Sequence, residues 1–80
     1  MKCVYLLKSL LCPGKRYVGK TGNFKQRLAE HNAGKLPHTA PCAPWKAVVA
    51  IYFAEDKKAD EFERYLKDGS GHAFAKRHFW

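Results

Sequence analysis

Two short apolar runs open the chain: KCVYLLK at residues 2–8 and RYVGK at residues 16–20. Both runs are rich in β-branched and aromatic residues, and the segment between them contains Pro13 and Gly14, which favour a turn. We therefore predict a β-hairpin. Within it, Tyr5 and Tyr17 lie on faces that allow pairing across the turn, so two phenol hydroxyls are expected side by side.

The segment after the hairpin predicts a helix. Asn23 is a suitable N-cap, and Gly34 is suited to follow the last helical turn. At about 100° per residue, one stripe of this helix holds Phe24, Leu28 and His31. Arg27 lies beside His31 at a spacing of four residues. The apolar face of the helix is thus flanked by a cation and an imidazole.

The rest of the chain predicts a loop, a strand and a second helix. Residues 35–44 contain three prolines and form a surface loop. The apolar run at 45–54 is expected to be a central strand. A helix is predicted over 57–67, and the glycines of 69–71 are expected to stop it. Residues 72–80 are predicted to form a helical turn or a short strand that docks through aromatic side chains.

The second predicted helix brings a carboxylate close to the core. One stripe of this helix holds Ala59, Phe62 and Leu66. Glu63 lies at the margin of the stripe, where a charge without a partner costs several kcal/mol if it is buried. This position marks Glu63 as a candidate functional residue.

Composition limits the class of protein. Eighty residues suit one domain, taken as residues 1–80, and a hydrophobic content of 46% excludes a disordered tail. No apolar run approaches the roughly 18 residues that span a bilayer, and no signal peptide is recognised, so a cytoplasmic protein is expected. The three cysteines include no Cys-x-x-Cys pair, which favours reduced thiols.

Charge points to a polyanionic partner. The net charge is +8, and residues 55–68 hold six of the seven acids, so the remainder of the chain is strongly basic. Such a field favours nucleic acid, although an anionic membrane or solubility alone would also account for it. Nucleic acid is therefore the expected class of partner, with no membrane and no small-molecule cofactor.

Five polar side chains near the apolar faces form one candidate catalytic cluster: Tyr5, Tyr17, Arg27, His31 and Glu63. Phosphoryl transfer needs a positioned oxygen nucleophile, a cation near the developing charge and usually a divalent metal. A single carboxylate suits Mg²⁺, which keeps several waters and takes other ligands from a phosphate. The cluster is therefore chemically coherent for phosphoryl transfer.

Each member also has an ordinary structural explanation. Strand tyrosines commonly serve packing. Arg27 can pair with Glu30, and Glu63 can pair with Lys67 at a spacing of four residues. His31 is near the end of its helix, where it would interact favourably with the helix dipole.

The order of these motifs resembles the GIY-YIG nuclease domain. The matching pieces, in chain order, are Val4-Tyr5, Tyr17-Val18-Gly19, Arg27-Leu28-x-x-His31, Glu63 to Lys67, and Gly69-Ser70-Gly71. The sequence is most similar to short stand-alone bacterial members, which resemble the N-terminal nuclease domain of the excision-repair incision subunit. One departure is that Cys3 and Val4 replace the first glycine and isoleucine of the family motif.

The resemblance implies an α+β fold, with a small three-stranded antiparallel sheet flanked by helices. It implies that Tyr17 serves as the base or orients the attacking water beside Tyr5. It also implies that Arg27 stabilises the phosphate, that His31 assists proton transfer or contacts phosphate, and that Glu63 binds Mg²⁺ or Mn²⁺. A phenol normally has a pKa of about 10, so the role of base requires a nearby cation that lowers it.

The implied function is a metal-dependent DNA endonuclease, acting in DNA repair or on branched DNA. Phosphate contacts that read no bases are expected from Lys15, Arg16, Lys20, Lys25 and Lys35. One alternative is a module on the same fold that binds nucleic acid without cleaving it. A second alternative is a zinc site built from Cys3, Cys12, His38 and Cys42.

Overall fold

A computed structural model describes residues 1–80. The strands are β1 (Lys2–Ser9), β2 (Arg16–Thr21) and β3 (Trp45–Phe53). The helices are α1 (Phe24–Asn32), α2 (Asp56–Leu66) and α3 (Gly69–His78), with a short 3₁₀ turn at Ala40–Cys42. The strands form one antiparallel sheet, which confirms the predicted α+β fold and its hairpin.

The central strand is β1, not the strand predicted at 45–54. The order across the sheet is β2-β1-β3, and Cys3–Leu7 are buried at five consecutive positions. The prediction for β3 was wrong because helices cover both faces of the sheet. An edge strand is then as apolar as a central strand, so composition does not distinguish the two. Strand β3 contacts both α1 and α2, yet Tyr52 is 55% exposed at this edge.

Helices cover both faces of the sheet. Helices α2 and α3 pack on the face that carries Val4 and Leu6, where Ala59, Leu66 and Ala75 complete a buried cluster. Helix α1 packs on the opposite face, with Tyr5, Leu7 and Trp45. Alternation along β1 therefore separates the two cores and sends Tyr5 towards α1.

Helix α1 begins and ends as predicted. Asn23 caps it, because the Asn23 side chain accepts a hydrogen bond from the backbone N–H of Gln26 at 3.2 Å. Gly34 follows the helix with φ of +73°, a conformation that glycine adopts without steric cost. Phe24 and Leu28 pack on Tyr5 and its neighbours, which confirms the predicted apolar stripe.

The predicted role of residues 69–71 needs correction. Helix α2 ends at Leu66 with Lys67 as its C-cap, and Gly69–Gly71 form the first turn of α3. A Cβ atom on Gly71 would overlap the carbonyl oxygen of Tyr65, so this glycine allows the close approach of α3 to α2. The tail docks as expected, with Phe79 packed against the first core.

Cys12 and Cys42 form a disulfide, which corrects the prediction of reduced thiols. Residue spacing did not reveal the pair because it depends on two loops meeting. Ser9 Oγ donates to the carbonyl of Cys42 at 2.6 Å, and Leu10 N–H donates to Pro44 at 2.9 Å. Cys3 remains a free thiol, buried in β1.

The zinc alternative is wrong. Its four residues do not form a site, because Cys3 lies in the sheet and the other two sulfurs are bonded to each other. No group of three or more His, Cys, Asp or Glu side chains is close enough together to hold a metal ion. No helix has the length and apolar character required to cross a membrane.

Candidate active site

The side chain of Tyr5 passes over Gly19 of the neighbouring strand β2. In the β1–β2 register, Tyr5 lies opposite Gly19. A Cβ atom on Gly19 would lie 2.5 Å from the Tyr5 hydroxyl oxygen and 2.8 Å from Cε2 of Tyr17. The missing side chain therefore provides the space that the two tyrosine rings occupy.

A buried chain of hydrogen bonds begins at Tyr5. The Tyr5 hydroxyl lies 2.9 Å from Nε2 of His31, and Nδ1 of His31 lies 2.7 Å from Oγ1 of Thr39. The Thr39 hydroxyl donates to the carbonyl of Leu36 at 3.5 Å. Both Tyr5 and His31 are fully buried. Strand β1, helix α1 and the following loop are thus joined through one imidazole.

The protonation states set the direction of these bonds. Burial lowers the pKa of His31, and the nearby Arg27 guanidinium lowers it further. Burial raises the pKa of Tyr5 well above its ordinary range, as does the Tyr17 phenol, against the opposing effect of Arg27. A neutral imidazole has one N–H, which we assign to Nδ1 because the Thr39 hydroxyl donates elsewhere. Tyr5 then donates to Nε2.

Of the two hairpin tyrosines, Tyr17 is the one with a free hydroxyl. Its ring centroid lies 5.0 Å from that of His31, 6.2 Å from Tyr5 and 6.4 Å from Trp45. The side chain is half-buried, and its hydroxyl makes no hydrogen bond within the protein. Tyr17 lies opposite Leu7 in the register, and Leu7 is on the same face of β1 as Tyr5. The two tyrosines are therefore diagonal neighbours on one face of the sheet. Tyr17 can therefore offer its hydroxyl to a ligand.

Arg27 lies one turn before His31 on α1. Its Nε is 3.1 Å from Oε1 of Glu30, the pair that the sequence suggested as an ordinary alternative. The side chain is 40% exposed and lines a polar hollow of about 290 Å³ at the start of the helix, together with Thr21, Asn23 and Glu30. A guanidinium in this position can meet an anion from solvent.

The loop after α1 supplies supporting residues that the sequence did not single out. The Trp45 indole N–H donates to the carbonyl of Thr39 at 2.9 Å. The backbone N–H of Trp45 donates to Oδ1 of Asn32 at 2.6 Å, and Asn32 donates back to the Trp45 carbonyl at 3.3 Å. These contacts hold Thr39 against His31. A threonine in a proline-rich loop carried no pattern that would have revealed this role.

Glu63 is on the other side of the sheet from the tyrosines. Its side chain is only 12% exposed and is ion-paired with Lys67, and it has no hydrogen bond or ion pair with the other four candidates. One turn earlier, Asp60 binds Lys20 of β2 at 3.3 Å, and one turn later Leu66 packs near Val18. Glu63 therefore lies along β2, the edge strand that carries Tyr17 on its opposite face.

The five predicted phosphate contacts are distributed over several surfaces. Lys15, Lys25 and Lys35 are exposed without an ion pair. Lys20 is paired with Asp60, and the Arg16 guanidinium carbon lies 4.9 Å from the centroid of the Trp80 ring. The two paired residues lie on the side of α2 and α3, away from Tyr5.

Comparison with known proteins adds a family match. The model of the GIY-YIG catalytic domain matches residues 1–77. The chain is also similar to the structure-specific endonuclease subunit SLX1 of Candida dubliniensis, with 35% identity over 82 residues. That match covers 94% of this chain, which spans only 27% of the relative. Both matches confirm the resemblance that the motifs indicated.

Proposed function

Because the chain belongs to the family of GIY-YIG catalytic domains, we propose that it is a divalent-metal-dependent endonuclease that hydrolyses phosphodiester bonds in DNA. The observation that carries this proposal is the free hydroxyl of Tyr17 beside the buried Tyr5–His31 pair, with the Arg27 guanidinium nearby. An oxygen group next to a cation on a basic protein fits attack on a phosphate.

Each residue receives a role from its surroundings. Tyr17 orients or deprotonates the attacking water, and Arg27 stabilises the charge that develops on the phosphate. Because His31 is fully enclosed, it acts through the hydroxyl of Tyr5, as a positioning group that accepts the hydrogen bond of this hydroxyl, and does not touch phosphate. Tyr5 holds this arrangement from the central strand.

Glu63 is the proposed ligand of Mg²⁺ or Mn²⁺. Its largely buried carboxylate fits a hard cation, and it is not joined by a second acidic ligand. A site of this kind takes its other ligands from water and from the substrate phosphate. The chemistry that such an ion supplies when bound is neutralisation of phosphate charge. Lys67, the present partner of Glu63, would have to release the carboxylate.

The test compares cleavage by the wild type, Tyr17→Phe and Glu63→Gln. Supercoiled plasmid and branched duplexes are incubated with Mg²⁺ or Mn²⁺, and a chelator arm is included. Glu61→Gln is the matched control, because Glu61 is on the same helix but is exposed and paired with Lys58. Cleavage by the wild type and Glu61→Gln that is lost with chelator and in both other variants supports the proposal.

A binding module on the same fold is the second candidate. It is favoured by the pairing of Arg27 with Glu30 and of Glu63 with Lys67, which leaves both charges satisfied without a substrate. This module would bind DNA with a steep salt dependence and would not cut any substrate in the presence of Mg²⁺ or Mn²⁺. That combination would reject the endonuclease.

Branched DNA is the proposed substrate class, and DNA repair is the proposed setting. The similar fungal protein is named a structure-specific endonuclease subunit, and the strongly basic chain suits a multi-stranded polyanion. A cytoplasmic location belongs to the same proposal and is tested by imaging a fluorescent fusion. Equal cleavage of linear and branched duplexes would contradict the substrate class.

A further inference from the structure

Two hollows adjoin on the face of the sheet that α2 and α3 cover. The larger, of about 380 Å³, has Val18 and the buried Leu66 in its floor. Its polar lining comes from Arg16, Lys67, His72 and Lys76. No acidic residue lines this hollow, so it presents positive charge over an apolar floor.

The second hollow continues the first. It has a volume of about 240 Å³, and Lys8, Lys15 and Arg16 line it together with Phe79 and Trp80. It also lacks an acidic residue. Arg16 and Trp80 line both hollows, and we call the combined depression the Arg16–Trp80 groove.

The residues at the centre of the groove are held in place. The Arg16 guanidinium carbon lies 4.9 Å from the centroid of the Trp80 ring, within the range of a cation–π contact. This contact orients a planar group whose N–H donors suit phosphate oxygens. Trp80 lines both hollows and is only partly buried, so part of its aromatic surface lies between two sets of cations.

A groove with cations along its length and aromatic rings within it fits single-stranded nucleic acid. The cations track the phosphates, and unpaired bases stack on the aromatic side chains. A regular duplex keeps its bases stacked on one another, so it would use only the cations. Phe79 and Trp80 therefore favour an unpaired strand.

We propose that the Arg16–Trp80 groove binds the single-stranded arm of a branched DNA substrate. This inference rests on the proposed endonuclease function and specifies its substrate. Lys67 lines the groove and is also the ion-pair partner of Glu63. The groove therefore begins beside the proposed metal ligand, and an unpaired arm leaving the cut site reaches it by passing around the edge strand β2, which carries Tyr17 on one face and Arg16 on the other.

The first test measures binding without cleavage. Fluorescence anisotropy follows a labelled oligo(dT) of about 12 nucleotides in chelator, within the site size of comparable grooves. Trp80→Ala is expected to weaken binding roughly fivefold to a hundredfold, and Trp80→Phe to retain most of it. Lys76→Ala is expected to lower the slope of log affinity against log salt by about 0.7. Lys57→Ala, an exposed lysine outside both hollows, is the matched control.

Tryptophan fluorescence supplies an independent readout. The only other tryptophan, Trp45, is 5% exposed, so quenching by oligo(dT) is expected to arise from Trp80 and to disappear in Trp80→Phe. If Trp80→Ala and Lys76→Ala bind oligo(dT) with unchanged affinity and salt slope, the proposal that the groove binds single-stranded DNA is overturned. An equal loss of affinity for blunt duplex would overturn its assignment to single strands.

The second test separates the groove from the proposed function. A duplex with a single-stranded flap and a nicked duplex are cleaved in parallel by the wild type and Trp80→Ala. A lower flap-to-nick cleavage ratio in Trp80→Ala supports the groove, and an unchanged ratio overturns it. If the wild type cuts neither substrate but still shows Trp80-dependent binding, the endonuclease function fails and the groove stands.

Discussion

The hydroxyl of Tyr5 lies 2.9 Å from Nε2 of His31, and neither side chain is exposed to solvent. Tyr5 belongs to the central strand and His31 to the last turn of α1, so this bond joins the two elements that frame the candidate site. It also distinguishes the two tyrosines, because the hydroxyl of Tyr5 is occupied and that of Tyr17 is free.

Replacing the two tyrosines with phenylalanine should affect stability differently. Tyr5→Phe leaves Nε2 of His31 buried without a partner, which should lower the free energy of unfolding by about 1–3 kcal/mol. Tyr17→Phe removes a hydroxyl that has no partner in the protein, so the expected change is within about 0.5 kcal/mol. Urea unfolding measures both values. A larger loss for Tyr17→Phe would contradict the assigned hydrogen bonds.

Stability should fall on mild acidification because of His31. Its pKa is lowered from the ordinary 6.5, so the unfolded chain takes up the proton first. The free energy of unfolding is therefore unaffected by this group above about pH 6.5 and declines below it, by at most about 1.4 kcal/mol per pH unit for one proton. The decline ends only below the pKa of the folded state.

Urea unfolding between pH 7.5 and pH 5 provides the measurement. His31→Gln should flatten the decline relative to the wild type, whereas His38→Gln, which alters an exposed histidine, should retain it. Identical slopes in all three proteins would show that the buried imidazole does not govern the acid response.

Gly19→Ala should disturb the site more than Gly22→Ala. The new methyl group would lie 2.5 Å from the Tyr5 hydroxyl oxygen, so the tyrosine rings must shift. We expect a loss of about 1–3 kcal/mol in the free energy of unfolding, together with reduced cleavage. No atom lies within 4 Å of a Cβ atom on Gly22, which makes it the control. Full activity in Gly19→Ala would show that the site does not need this space.

Thiol titration should report one reactive cysteine in the denatured, unreduced protein. Cys12 and Cys42 are bonded and only Cys3 is free. Reduction should lower the free energy of unfolding by about 2–4 kcal/mol, since the bond closes a loop between residues 30 positions apart. The variant carrying both Cys12→Ser and Cys42→Ser should not respond to reductant. Three reactive thiols before reduction would contradict the bond.

Patterns local in sequence predicted most of the elements. The Asn23 cap and the glycine after α1 were recognised because a helix end depends on a few adjacent residues. The apolar stripes of α1 and α2 were recognised because a helix repeats its faces at a fixed period. The central position of β1 was missed, because strand order depends on pairings between distant segments.

The same distinction between local patterns and distant contacts holds for the candidate site. Its residue types followed from the sequence, because Arg27 and His31 share one helix face and the motif order matches the family. Thr39 and Trp45 were missed as supporting residues, because their contacts cross between a loop, a helix and a strand. The sequence predicted Glu63 at the margin of the apolar stripe of its helix. Its ion pair with Lys67 and its separation from the tyrosines were established only by the packed structure.

The sequence alone determined α1, α2, the three strands, the family and the basic charge, all of which depend on residues close together in the chain or on composition. Tertiary structure alone decided which tyrosine has a free hydroxyl, which cysteines are joined and that Arg16 meets Trp80. These facts depend on contacts between segments far apart in sequence, where the shape and register of packed elements, not local pattern, select the partner.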